Sequence, residues 1–410
     1  MRRPAKILLA GTLAAILPFA AASSLAAPSD VLNDQIQLGD VFSQQTLDVV
    51  EVSETTSGTT TATGNSFDGT VDQGDLAVTS TQSLQANVGA TTELNVASSS
   101  GAVTALTTAA TGNTGDAGVF AGGLTGSFVQ TTGATNVSAN SHIEAPGGQA
   151  GDVASSVQAI GNSQGFGVTS GASYVSVDQT NQAQVTSDGG GVYNYIGGQA
   201  TFSAASAANN LTAASAGGSS QQITATQAND AAITQASQFT SFGNAYLTTT
   251  SATATGNNIS AGNEGSTLAL TTDQRNSAYV RAETVSNAYE FGAGSAVSYG
   301  VGNSAFAGNA GTETLIDNTQ LNDGGGIDVA ADYTGYQGYD AQASATAIGN
   351  AATGYACAEC DGYVSVANRQ TNNAEVGAQS STSVTSARTV TGVANAIGNT
   401  ASYYVSRPNQ

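Results

Sequence analysis

The chain is predicted to be all-β, a repetitive and parallel β-helix-like β-solenoid built from units of about 48 residues. Three observations predict it: a fixed internal period, strict alternation of inward and outward residue types, and glycine at regular points in a chain with only 5 prolines among 410 residues. A β-propeller with one blade per unit shares the period, and a curli-like amyloid fold shares the in-register amides. The absence of tryptophan argues against the aromatic cores of propeller blades.

The period is carried by two independent series. An Asn closing a Gly-Asn or Asn-Asn pair recurs at Asn65, Asn113, Asn162, Asn210, Asn257, Asn303, Asn350 and Asn399. A glutamine recurs at Gln82, Gln130, Gln179, Gln227, Gln274, Gln320 and Gln370. The offset from Asn to the next Gln is 17 residues in six units and 20 in the seventh, where CAEC is inserted. These series divide the chain into a signal peptide (1–26), a divergent N-terminal cap (27–64) containing Gln45, seven repeats (65–398) and a truncated terminal repeat (399–410). Divergent end units are what caps of a repeat array look like.

Alternation sets the direction of the side chains. Leu268, Leu270 and Thr272 share the parity of Gln274, and Val175 and Val177 that of Gln179, so the glutamine lies on the apolar face. The same parity carries Asn181, Asn229, Asn276 and Asn372 two residues further on. An inward carboxamide left unpaired costs about 1–3 kcal/mol. Stacked in register at roughly 4.8 Å, each amide instead donates to one neighbour and accepts from the other, as in cross-β ladders.

The residues leading into each Gly-Asn pair are small and alternate, as in Ala341, Ala343, Ala345 and Ala347, which implies a thin interior. The Gly-Asn pairs themselves are expected at corners with positive φ, since both residues tolerate that region. A further glycine 12 to 14 residues earlier, as at Gly148, Gly198 and Gly243, suggests three strand segments of about 16 residues per repeat. On that division each repeat holds two or three coils, and two would give a rod of roughly 67 Å.

Composition restricts function. Arg2, Arg3 and Lys6 precede an apolar run ending in Ser24-Leu25-Ala26, the pattern of an export signal. Beyond it stand 29 acidic residues against Arg275, Arg281, Arg369, Arg388 and Arg407, with no lysine. So few cations exclude nucleic acid as a partner, because phosphate binding requires many. With His142 as the single histidine, neither a Ser-His triad nor a histidine-rich metal site can be assembled. No cofactor is expected. Asp-Gly clusters around Asp188 and from Asn322 to Asp332 leave Ca2+ open beside their simpler reading as turns. In an exported chain Cys357 and Cys360 are candidates for a disulfide across the inserted loop. Tyr333, Tyr336 and Tyr339 are either glycan contacts or spare tyrosines on an outer face.

The export leader, the lysine-free acidic body and the Ala-Ile-Gly-Asn and Gln-x-Asn-x-Ala-x-Val repeats together resemble the holdfast anchor protein family HfaD of stalked bacteria. That resemblance implies a non-catalytic surface protein tethering an adhesive polysaccharide, the holdfast, to the outer membrane. It also implies self-assembly into stable polymers, alongside curlin-like and curli-channel-like partners. The rival class is a secreted polysaccharide-degrading solenoid enzyme.

Overall fold

The structure is a computed structural model that describes residues 29–357 and 362–405. The expected signal segment and Cys360 lie outside these residues. Every strand pairing is parallel, and each joins residues one repeat apart, such as Gln179 with Gln227 and Asn209 with Asn257. One repeat is therefore one coil, not two or three. Among the described residues there are eight coils, or rungs, rising about 34 Å at the usual strand spacing.

The first rung comprises β1 (Ser29–Gln37), β2 (Val41–Glu51) and β3 (Thr55–Val71). The second comprises β4 (Leu76–Leu84), β5 (Val88–Ser99) and β6 (Val103–Phe120). The third comprises β7 (Gly123–Thr132), β8 (Asn136–Ala150) and β9 (Asp152–Thr169). From the fourth rung the second and third segments run on as one long strand: β10 (Ala172–Asn181) with β11 (Gln184–Gly218), then β12 (Ser220–Asn229) with β13 (Ile233–Gly265). Next come β14 (Thr267–Asn276) with β15 (Tyr279–Asn309), and β16 (Glu313–Asn322) with β17 (Ile327–Ala356). The eighth rung again has three strands, β18 (Tyr363–Asn372), β19 (Val376–Ser386) and β20 (Thr389–Val405).

The segments are unequal because the third contains a bend. In β6, residues 104, 106, 108 and 110 are buried, and then Gly112 and Asn113 are buried in succession, after which odd numbers point inward. Each rung thus folds into two facing layers. Inward residues of the first segment, such as Leu76, Val175, Ile223 and Leu268, pack on the second half of the third, through Val119, Val168, Leu211 and Ile259. Inward residues of the second segment, such as Leu94, Ile143 and Ile196, pack on the alanine-rich first half, where Ala341, Ala343, Ala345 and Ala347 are all buried. The small side chains let the layers close. Glycine makes room for one of the largest rings: the Tyr333 hydroxyl lies against Gly294 of the rung before, where a Cβ would clash with it.

The Gly-Asn bend does not use positive φ. Left-handed residues lie elsewhere, including Gly74, Ala121, Ser170, Gly217 and Gly218 at the turns that lead into the next rung. At the bend the requirement is close approach: a Cβ on Gly302 would come 2.7 Å from the Gly349 carbonyl oxygen and 2.8 Å from Asn322 Oδ1. Ala208 holds the position in the fourth rung, which is consistent with ordinary φ.

Burial holds the Tyr333 phenol far above its ordinary value of 10, at about 12. Because the folded state favours the neutral phenol, this stabilisation is whole below pH 10 and is lost as pH rises from 10 through 12. Alkaline titration with tyrosinate absorbance and circular dichroism should show Tyr333→Phe losing less stability across that window than the unaltered chain.

Candidate functional site

Amides fill the waist between the two layers. Gln82, Gln130, Gln179, Gln227, Gln274, Gln320 and Gln370 each donate through Nε2 to Oε1 of the glutamine one rung earlier, at 2.7–2.9 Å. The file begins at Gln35, which accepts from Gln82. Each glutamine also donates to a backbone carbonyl of the opposite layer, as Gln179 does to Asn210 at 3.0 Å and Gln227 to Asn258 at 2.9 Å. That carbonyl accepts only, so it fixes which end of each amide is nitrogen.

A second file runs through Asn65, Asn113, Asn162, Asn209, Asn257, Asn303, Asn350 and Asn399. All but Asn209 are read from the sequence as turn formers; Asn65 to Asn350 are buried bend residues whose Nδ2 donates to the next rung at 2.7–2.8 Å, and exposed Asn399 ends the file as an acceptor. Their second N–H ties the bend to the end of the first segment, as from Asn257 to the Arg275 carbonyl at 2.8 Å. In the fourth rung the member is Asn209, not Asn210. Asn210 sits one position outward and accepts from Asn258 at 2.9 Å. A third, shorter file links Asn181, Asn229, Asn276, Asn322 and Asn372 at 2.6–3.0 Å.

Sequence reasoning missed Gln35 and Asn322. The segment Gln320-Leu321-Asn322 carries the same motif as Gln179-Thr180-Asn181, and Gln35 stands one period before Gln82. Gln45 instead lies on the second segment, level with Thr92, and its Oε1 accepts from Thr60.

The tyrosines divide. Tyr333 is fully buried and packs edge-on against Phe291, with ring centroids 5.3 Å apart, so it is a core residue and not a glycan contact. Tyr336 and Tyr339 are exposed, and the structure places Tyr195, Tyr246 and Tyr289 beside them. They lie along the edge where the second segment passes into the third. Tyr289 and Tyr336 stack face to face, centroids 4.8 Å apart and planes within 4°. Tyr246, Glu290, Gln337, Asn244 and Tyr339 line a shallow open groove of about 540 Å³ on the same edge. Arg388 packs on one of the lining rings: the guanidinium is 5.8 Å above the Tyr339 ring and bonds Asp340, holding that carboxyl below its usual range. These positions are legible as residues at one corner of successive repeats once the rung length is known.

The acidic turns are spread out. Asp188 and Asp328 face outward on different rungs; burial pushes the Asp188 carboxyl up against the pull of His142, and Asp328 accepts from the Tyr279 hydroxyl at 2.9 Å. Among the described residues no three His, Cys, Asp or Glu side chains converge to hold an ion. The disulfide candidate includes Cys360, which lies outside the described residues.

Fold and amide files together define a repeat-built, parallel β-solenoid whose stacked inward amides pair from rung to rung. The family model for holdfast attachment protein D matches residues 50–326, and the chain belongs to this family. No curated protein and no solved structure matches it.

Replacing one buried ladder residue tests the energetic role of these files. Gln227→Ala removes three hydrogen bonds and orphans the Gln179 oxygen and one Gln274 N–H. The expected loss is about 3–5 kcal/mol, read as a fall in the denaturant midpoint. A loss below about 1 kcal/mol would contradict that role.

Proposed function

We propose that this chain works outside the cell as a non-catalytic surface rod, holding the adhesive polysaccharide of the holdfast to the outer membrane by its tyrosine-lined edge. Membership of the holdfast attachment family carries the reading, since that family's role is attachment. The edge supplies a physical means. Exposed rings gathered at one corner, two of them stacked, offer flat apolar faces to sugar rings, while Asn244, Glu290 and Gln337 offer hydrogen-bonding groups beside them. An acidic chain whose single lysine, Lys6, lies in the expected signal segment disfavours a strongly anionic glycan, so the polysaccharide contacted here is neutral or cationic. Self-association and curlin-like and curli-channel-like partners belong to the same reading.

Retention of purified chain on immobilised holdfast polysaccharide provides the test. The double variant Tyr289→Ala, Tyr336→Ala removes two exposed ring faces and should weaken retention about tenfold, while the fold loses no more than their mutual stack, about 0.5–1.5 kcal/mol. Undiminished retention removes the tyrosine edge from the proposal. New reducing ends after incubation would favour the degradative enzyme instead.

A further inference from the structure

Among the described residues nothing covers the outer faces of the first and eighth rungs. Val390 belongs to an inward file, yet it is 52% exposed, whereas its neighbour Ala341 on the seventh rung is 2% exposed. Among the described residues the outer edges of β1, β2 and β3 at one end, and of β18, β19 and β20 at the other, have no strand partner. Unpaired edges of parallel strands are templates for pairing.

The two faces are complementary. Every glutamine donates toward the first rung, so Gln35 turns a spare N–H outward at that end and Gln370 turns Oε1 outward at the other. The asparagine file runs oppositely: Asn65 presents Oδ1 at the first rung and Asn399 presents Nδ2 at the eighth. Donor therefore meets acceptor in both files when the eighth rung of one chain is set against the first rung of another. Two like ends set glutamine on glutamine and asparagine on asparagine would instead bring together donor and donor, or acceptor and acceptor.

Register agrees at three separated points. Continuing each column by one step pairs Gln370 with Gln35, Val376 with Val41 and Asn399 with Asn65. A slip of one residue would turn every inward side chain outward. In the same alignment exposed Arg369 meets exposed Asp34, and neither has an ion pair within its own chain among the described residues.

We propose that copies of this chain join head to tail, the eighth rung of one seated in register on the first rung of the next, so that the amide files run through the joint. Such a contact uses different surfaces on the two partners and does not close, so it yields an open filament. This geometry rests on the self-association included in the proposed function, and the test separates the two.

Ile36 and Thr371 point outward and become neighbours only across this joint. In-register residues there stand at about 4.8 Å, within reach of a disulfide. Within one chain they are seven rungs, about 34 Å, apart. With Cys357 and Cys360 replaced by serine, whole chain bearing Ile36→Cys is mixed with chain bearing Thr371→Cys and oxidised. Cross-linked dimers are expected from the mixture and not from either chain alone. The chain carrying both cysteines should give a covalent ladder on a denaturing gel, and pairing Ile36→Cys with Ala367→Cys should not. As a second readout, Arg369→Asp should raise the concentration needed for assembly severalfold, and Asp34→Arg added to it should restore assembly. Dimers from either single-cysteine chain alone, or no cross-link from the mixture, would overturn the joint. If light scattering still shows multimers, only the geometry falls. A monomer at high concentration removes self-association as well.

Discussion

In-register stacking of identical amides is the constraint on which the structure depends. A carboxamide has two donors and an acceptor, and a narrow interior provides no water for them. The rung above, the rung below and the opposite layer satisfy each group in turn, as with Gln179 between Gln130 and Gln227 and against the Asn210 carbonyl. This requires like residues at one height on each coil. It also requires the layers to stay close, which explains the alanines facing the second segment and the glycine or alanine beside each bend asparagine. A helix or antiparallel hairpin would break the coincidence of residue types that makes the inward amides affordable.

The glutamine and asparagine files are oppositely directed, and this follows from how each is anchored. Every glutamine must reach a carbonyl just past the bend, and every bend asparagine must reach one at the end of the first segment. The two sets of bonds cross-brace the layers within a rung while linking successive rungs. Hydrophobic packing on either side of the waist, through clusters such as Leu268 with Ile259 and Phe202 with Phe242, supplies the non-directional part of the stability.

Much of this was legible in the amino-acid order. The parity of Gln274 with Leu268 and Leu270 identifies the inward face, and the recurrence of Gln and Asn identifies which residues stack. The coil length was misjudged because evenly spaced glycines suggest short, equal segments, whereas like amides recur once per repeat and so admit only one coil per repeat. The Gly-Asn pairs were misassigned because glycine serves two needs, φ freedom and close approach, which look alike in a sequence. Tyr333 illustrates a different difficulty. Its parity places it on the same inward face as Val329 and Ala331, but a tyrosine three residues from Tyr336 invites grouping by type rather than by face. The edge formed by Tyr195, Tyr246, Tyr289 and Tyr336 depends on where coils turn, which local pattern does not specify.

One coil per repeat also determines how the rod yields to tension. A rung adds about 4.8 Å to the height of the stack, yet its 48-residue contour extends to about 160 Å when drawn out. Peeling a terminal rung therefore lengthens the chain more than thirtyfold over the height given up, and the next rung meets the load with its own full set of bonds. Under a steady pull such a stack fails in discrete, dissipative steps, absorbing work as each rung gives way.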